Sequence, residues 1–308
     1  MKHHHFRIIS LPSQGHINPT LQLAKNLTRA GARCTFATTV DGFNKINNPP
    51  IMDNIFYDSF SDGYDEDAPK TDLGEYLSDL RRVGSKNLKR LLDKCAGDGT
   101  GHPLTCLIYT FYYLGLQKRR VRCDFDFLDI IWGENDAFFL NTFDKLKEKS
   151  LKILEVLGIC SIGPLLPSAY CGCDLEDTLF GCDLFEKCET YCTWLDTKPE
   201  GSVVYVGSIV VLREEQKEEI LQDGRACLGP GRALLEWSGS CDADAEITVA
   251  GVPLIGYPQF SDQMTNIKMV EDVWGTGVRA RAKEEGIVKR EELKEVFGNC
   301  NGEWRERK

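Results

Sequence analysis

Two short stretches put reactive side chains directly after apolar runs. Gly15-His16 follows Phe6-Arg-Ile-Ile-Ser-Leu11, and Gly207-Ser208 follows Ser202-Val-Val-Tyr-Val206. An imidazole titrates near neutrality, so His16 suits the work of a general base. The alternative is that it caps the next helix or packs against its loop. Backbone N–H groups and a hydroxyl at Gly207-Ser208 suit phosphate oxygens, or else make a plain tight turn. Asp262-Gln263 follows Tyr257-Pro-Gln-Phe260. A carboxylate that accepts and an amide that both donates and accepts suit the neighbouring hydroxyls of a sugar. The competing role is a helix N-cap on Ser261 or Asp262. Glu246 stands near a helix start and can accept two ribose hydroxyls, or simply favour the helix dipole. Cys171, Cys173, Cys182, Cys188 and Cys192 lie close together, but without C-x-x-C pairs or a nearby His. That spacing points to reduced thiols rather than zinc.

Those residues need a scaffold. Phe6–Leu11 reads as a short buried strand and Pro12–Pro19 as a loop. Leu21, Leu23, Ala24, Leu27 and Ala30 form one helical stripe over Leu21–Ala30. Gly31 is a natural stop, and Ala32–Val40 reads as the second strand. Strand, helix and strand make a right-handed βαβ unit, hence a parallel sheet. Ligands of open α/β sheets bind beyond the carboxyl ends of the strands, where Gly15-His16 falls.

Further strands are expected at Ile55–Phe60 and Thr105–Tyr109, and helices at Leu73–Lys94 and Asn141–Leu157. Ser61–Thr71 reads as an acidic surface loop. Ser161–Ser168, with two prolines and a glycine, reads as a connector that the Cys-rich stretch continues. The alternation then restarts. Strands are expected at Ser202–Val206, Gly251–Gly256 and Gly275–Arg281. Helices are expected at Arg213–Gln222, Ala245–Val249, Gln263–Val273 and Lys289–Val296. This predicts a domain over 1–160, a linker over 161–190 and a second α/β domain over 191–308.

Composition bounds the function. With 42% hydrophobic and 27% charged residues over 308 positions, the chain can bury real cores, which excludes a disordered or fibrous character. A net charge of −10 argues against non-specific nucleic-acid binding. No run of 18 apolar residues occurs, so no membrane span is expected. No signal-peptide pattern opens the chain, and with thirteen Cys read as thiols the expected setting is cytoplasmic. His3, His4 and His5 alone make no metal site. G-x-G-x-x-G, G-x-x-x-x-G-K-[ST] and G-x-S-x-G are all absent, which weakens dehydrogenase, kinase and esterase readings.

Leu11-Pro-Ser-Gln-Gly-His-Ile-Asn-Pro-Thr-Leu-Gln-Leu-Ala-Lys25 resembles the N-terminal signature of plant UDP-dependent glycosyltransferases of secondary metabolism. Ile162-Gly-Pro-Leu165, Trp194-Leu-Asp-Thr-Lys-Pro199 and Ser202–Val206 resemble that family's linker and second-domain entry. Gly251-Val-Pro-Leu-Ile-Gly-Tyr-Pro-Gln-Phe-Ser-Asp-Gln-Met-Thr-Asn266 resembles the last third of its sugar-donor box, and Glu271–Arg279 continues the match. The crocetin and anthocyanin 5-O-glucosyltransferase type is similar in these blocks.

The resemblance implies an α/β fold of two Rossmann-like domains facing across a cleft, the GT-B type, here shortened. It implies a UDP-sugar donor as co-substrate, a small lipophilic acceptor, and neither cofactor nor metal. His16 would match the general base and Ser208 the diphosphate contact. Glu246, five residues before Gly251, would match the ribose carboxylate. Asp262 and Gln263 would match the pair that binds the sugar hydroxyls. The chain also departs from the pattern. Glu236–Ala245 stands where the family carries a His-Cys-Gly-Trp-Asn-Ser run, and Thr110 stands where many relatives place the Asp partner of the base. The second implied reading is therefore a shortened, weak or inactive relative that only binds a nucleotide sugar or a partner chain.

Overall fold

A computed structural model of the chain describes residues 4–46, 49–65, 73–96, 104–110, 138–141, 159–163, 165–168, 182, 193, 196–197, 204–206, 215–216, 218–219, 233–236, 254–258, 263–282 and 286–296. The chain divides into two compact units, 1–124 with 128–187, and 125–127 with 188–308.

In the first unit, β1 (His5–Ile9) pairs in parallel with β2 (Arg33–Thr39) on one side and β4 (Cys106–Tyr109) on the other. β3 (Ile55–Phe60) adds to β2, giving the order β3-β2-β1-β4. Side chains alternate between faces along a strand, so neighbouring isoleucines serve opposite cores. Ile8, Cys34, Phe36 and Ile55 pack on Ile17, Leu21 and Ala24 of α1 (Gln14–Arg29). Ile9, Ala37 and Phe60 pack on Tyr76, Leu80 and Leu88. Those three come from α3 (Leu73–Asp79), the π-helical turn Leu80–Gly84 and α4 (Ser85–Ala96). A parallel sheet covered on both faces explains why the strands read as continuous apolar runs. Each fully enclosed Ile, Leu or Phe contributes roughly 1.5–3 kcal/mol.

α1 starts at Gln14, within the segment Pro12–Pro19 expected to be a loop. Ser13 is extended, and its carbonyl accepts the N–H groups of His16 at 3.0 Å and Ile17 at 2.9 Å. Pro19 lies inside the helix, where it cannot donate to the Gly15 carbonyl. Beside it, the Thr20 hydroxyl donates to the carbonyls of His16 at 2.6 Å and Ile17 at 3.0 Å. A proline within two turns of the start costs one ladder bond, and burial of Ile17 in the core outweighs it. The other end follows expectation. Ala32 N–H bonds the Leu27 carbonyl at 3.0 Å around Gly31, whose φ is +88°.

Two expectations for the connector need correction. Ser161 closes a strand, β6 (Ile159–Ser161), which pairs in parallel with β5 (Phe138–Leu140). Cys182, within the Cys-rich continuation of the connector, is buried in the α1-side core. The polar stripe of α1 holds it there. Asn18 Oδ1 accepts the Cys182 N–H at 2.9 Å, and Gln22 donates to Ser168 Oγ at 3.2 Å. Asn141 Oδ1 accepts the Leu165 N–H at 2.7 Å. The helix expected over Asn141–Leu157 lies outside the described residues beyond Asn141, as do the other clustered cysteines and the helix at Ala245–Val249.

The second unit holds a parallel sheet of order β10-β9-β8-β7. Its strands are β7 (Val204–Val206), β8 (Ala233–Glu236), β9 (Leu254–Gly256) and β10 (Gly277–Arg279). β8 has no counterpart in the sequence reading. Ala-Leu-Leu-Glu prefers helix, and pairing on both sides overrides that preference. β2 and α2 (Val40–Asn44) in the first unit have a parallel here in β9 and α5 (Gln263–Lys268), each pair a strand leading to a helix. α5 continues as a π-helical turn, Met269–Trp274, which ends at Gly275 with φ +60°. Ile267 and Val270 pack on Leu254. Gly277 lets β10 approach, because a Cβ there would strike the Leu254 carbonyl oxygen. Gln216, almost fully buried, donates to the Val288 carbonyl at 3.0 Å and accepts its N–H at 2.8 Å. It thereby ties the helical residues 215–216 to the segment 287–289 that precedes the helix at 290–296.

The first unit's core carries ionisable groups that burial keeps neutral. The Cys34 thiol is pushed up from 9.0 to about 11 by burial. The Tyr57 and Tyr76 phenols are raised above 10.0, chiefly by burial. As pH rises through about 9–11, the unfolded chain releases protons that the native core retains, so stability falls. The melting temperature is expected to decline progressively across that window, and Cys34→Val to flatten the decline near pH 9–10. A flat profile in the parent chain would contradict the assignment.

Candidate active site

All four strands of the first sheet run parallel, so their carboxyl ends share one edge. The connection from β1 to α1 leaves from the middle of that edge. Ser10 N–H donates to the Ala37 carbonyl at 2.9 Å, and the Ser10 carbonyl accepts the Thr38 hydroxyl at 3.0 Å. On the other side, Thr110 N–H extends the β1–β4 ladder to the Ile9 carbonyl at 3.2 Å. Its Oγ1 accepts the Leu11 N–H at 3.3 Å. Ser13 N–H then turns back on the Leu11 carbonyl at 2.8 Å, and α1 begins. His16 occupies the first turn of that helix and is half-buried. It is thus fixed on a helix rather than carried on a loop.

A second polar group stands on the same edge, at the end of β3. Asp62 is fully buried, although Ser61–Thr71 reads as a surface loop. Its Oδ1 accepts the Tyr64 N–H at 3.0 Å and its Oδ2 accepts the Tyr76 hydroxyl at 3.1 Å. The Tyr64 ring meets Tyr76 edge-on at 5.5 Å, and its hydroxyl donates to Asp79 at 3.0 Å. Asp79 in turn takes Arg82 Nη2 at 2.6 Å, and this pairing holds its carboxyl below the usual range. Buried Asp41 on α2 faces the same Tyr76 phenol and pairs with Lys45 at 2.7 Å. Neither Asp62 nor Thr38 stood out in the sequence. An acid in a Gly-rich acidic stretch and a Thr in a β-prone run look ordinary until topology brings them to one edge.

In the second unit, Ser208, Glu246 and Asp262 lie outside the described residues. Gln263 is the first residue of α5. The strands that launch these segments are neighbours, with Val206 level with Leu235 and Glu236 level with Gly256. The carboxyl ends of β7, β8 and β9 therefore share one edge of this sheet. Glu236–Ala245, the stretch that departs from the donor box, begins at the end of β8. Among the described residues no group of three or more His, Cys, Asp or Glu could hold a metal ion.

No family model matches the chain. It is, however, 30% identical to the phloretin 4′-O-glucosyltransferase of Malus domestica, over 96% of this chain and 88% of that protein. The chain belongs to the plant UDP-glycosyltransferases. It is also 30% identical to the chloroplastic crocetin glucosyltransferase of Gardenia jasminoides, covering 94% of this chain and 87% of that one. Among solved structures, Os79 from O. sativa in complex with UDP superposes with a TM-score of 0.79 at 24% identity, over 98% of this chain and 92% of that one. This plant UDP-glycosyltransferase has the α/β, GT-B-type fold of two Rossmann-like units. The match to the Malus protein runs over 427 positions against 308 residues, so the relative carries internal segments that this glycosyltransferase lacks.

The Asp62 clasp of this glycosyltransferase gives a direct expectation. Asp62→Ala would remove the carboxylate that accepts from the buried Tyr76 hydroxyl and the Tyr64 N–H. The loss of the buried bond to Tyr76 is expected to cost about 1–3 kcal/mol. Chemical denaturation should show a lowered midpoint for the first unit, and Asp62→Asn should recover part of it. An unchanged midpoint in the alanine variant would mean that water replaces the carboxylate.

Proposed function

We propose that this glycosyltransferase moves a sugar, glucose, from UDP-glucose to a hydroxyl or carboxyl of a small lipophilic plant metabolite such as a flavonoid, anthocyanin or apocarotenoid, with inversion. The observation that carries the reading is His16 in the first turn of α1, at the carboxyl edge of the first sheet. Similarity to glucosyltransferases of phloretin, crocetin and anthocyanidin glucosides supports the substrate classes. In this reading residues 1–160 bind the acceptor, 161–190 connect, and 191–308 bind the donor, in a cytoplasmic setting. No helix among the described residues is long and apolar enough to cross a membrane.

The imidazole of His16 takes the proton of the acceptor hydroxyl. The acceptor oxygen attacks the anomeric carbon as the bond from that carbon to the diphosphate oxygen breaks. UDP leaves with the bonding electron pair, and one displacement inverts the configuration. A neighbouring base raises the nucleophilicity of the oxygen and supplies roughly 10²–10⁴-fold in rate. Ser208 contacts the diphosphate, whose developing charge backbone N–H groups also stabilise. Glu246 accepts the ribose hydroxyls, and Asp262 and Gln263 hold the hydroxyls of the sugar.

A second reading has its own observation. Glu236–Ala245, which starts at the last residue of β8, stands in place of the His-Cys-Gly-Trp-Asn-Ser run. A chain so altered binds the nucleotide sugar, or a partner, without efficient transfer.

Three measurements separate these readings. His16→Ala should abolish transfer while UDP still raises the melting temperature, and retained turnover would sink the base assignment. Asp262→Ala and Gln263→Ala should weaken UDP-glucose more than UDP, whereas equal losses would give both residues to the fold. Ligand at about 100 times its Kd adds roughly 2.7 kcal/mol to a cooperative fold. A melt with no shift by UDP-glucose would remove the donor site and leave only the partner-binding form of the second reading.

A further inference from the structure

The β1–α1 connection is gripped from both neighbouring strands, and each grip uses a threonine hydroxyl. Thr38 of β2 is fully buried and donates to the Ser10 carbonyl at 3.0 Å. Thr110, directly after β4, accepts the Leu11 N–H at 3.3 Å. A third strut is steric. Gly42 of α2 lies against Pro12, so closely that a Cβ there would stand 2.5 Å from the Pro12 Cβ and 3.2 Å from the Thr38 hydroxyl. The N–H of Gly42 bonds Thr39 Oγ1 at 3.1 Å, which fixes α2 to the end of β2. Ser10, Leu11 and Pro12 are thus each held by a different element, and Ser13 launches the helix that bears His16.

We propose that Thr38 and Thr110 are positioning residues for His16, acting through the backbone of residues 10–13; this rests on His16 being the base. A carboxylate behind an imidazole orients it through the ring. Here the hydroxyls orient it through the helix that carries it. Thr110 receives an N–H, so its role in the clamp needs no charge. A misplacement of about 1 Å at a reacting group costs on the order of 10²-fold in rate, so a loose clamp registers in turnover before it registers in binding.

The test uses the full chain, UDP-glucose and a panel of phenolic acceptors. Thr110→Val keeps the shape and removes the acceptor of the Leu11 N–H. It is expected to lower kcat at least about tenfold while KM for UDP-glucose changes less than about twofold. Thr110→Ser is expected to keep parent turnover. Thr38→Val and Thr38→Ser should repeat the pattern.

Amide hydrogen exchange gives a readout independent of turnover. In Thr110→Val the amides of Leu11, His16 and Ile17 should exchange at least about tenfold faster, while those inside β1 keep their protection. Parent kcat in Thr110→Val or unchanged exchange at His16 would each overturn the clamp. Turnover retained by His16→Ala would overturn the base assignment and the clamp together. An inactive His16→Ala beside a fully active Thr110→Val would overturn the clamp alone.

Discussion

β1 has a hydrogen-bonding neighbour on each side, and both run in its own direction. Everything in the first unit follows from that pairing. A parallel strand cannot reach its neighbour through a tight turn, so the chain must cross over a face of the sheet between strands. The crossover from β1 is α1, and its apolar stripe closes one face. The crossover between β3 and β4 contains α3 and α4, and it closes the other. Since both sides of β1 are taken, the residues after Ile9 leave the sheet only at its carboxyl edge, within reach of Thr38 and Thr110. His16 owes its position to this constraint before any side chain contributes.

Much of this was legible in the residues. Phe6–Leu11, Ala32–Val40, Ile55–Phe60 and Thr105–Tyr109 all overlap strands, because a parallel sheet covered on both faces favours dense apolar runs. Leu21–Ala30 contains the core stripe of α1, and Gly31 ends it as its left-handed φ requires. The start of α1 was not legible. Pro19 argues locally for a loop, and the counterweights are an enclosed Ile17 and two carbonyls served by Thr20. Both depend on the folded helix and leave no mark in the pattern.

The second unit shows the complementary failure. Gly251–Gly256 and Gly275–Arg281 enclose β9 and β10, where apolar residues meet glycines that permit close approach. β8 was missed because a helix-prone tetrapeptide became a strand through its neighbours. Among the site residues, motif and position singled out His16, and its place on an edge followed from the βαβ pattern. Thr38 and Asp62 carried no such sign, since hydroxyls and carboxylates act here through contacts between segments distant in sequence. Gln263 begins α5, as the expected helix start predicted.

The burial of Cys182 reaches beyond packing. Asn18 and Cys182 are separated by 164 positions, and Gln22 and Ser168 by 146. During synthesis the first unit can assemble β1, β2, β3 and α1 early, yet the α1-side core keeps a gap until residue 182 has cleared the ribosome. Contacts of such separation slow the search for the native state and prolong the exposure of apolar surface. By then the chain is more than half made. Closure of the α1-side core therefore waits on residues that the sequence pattern reads as a connector.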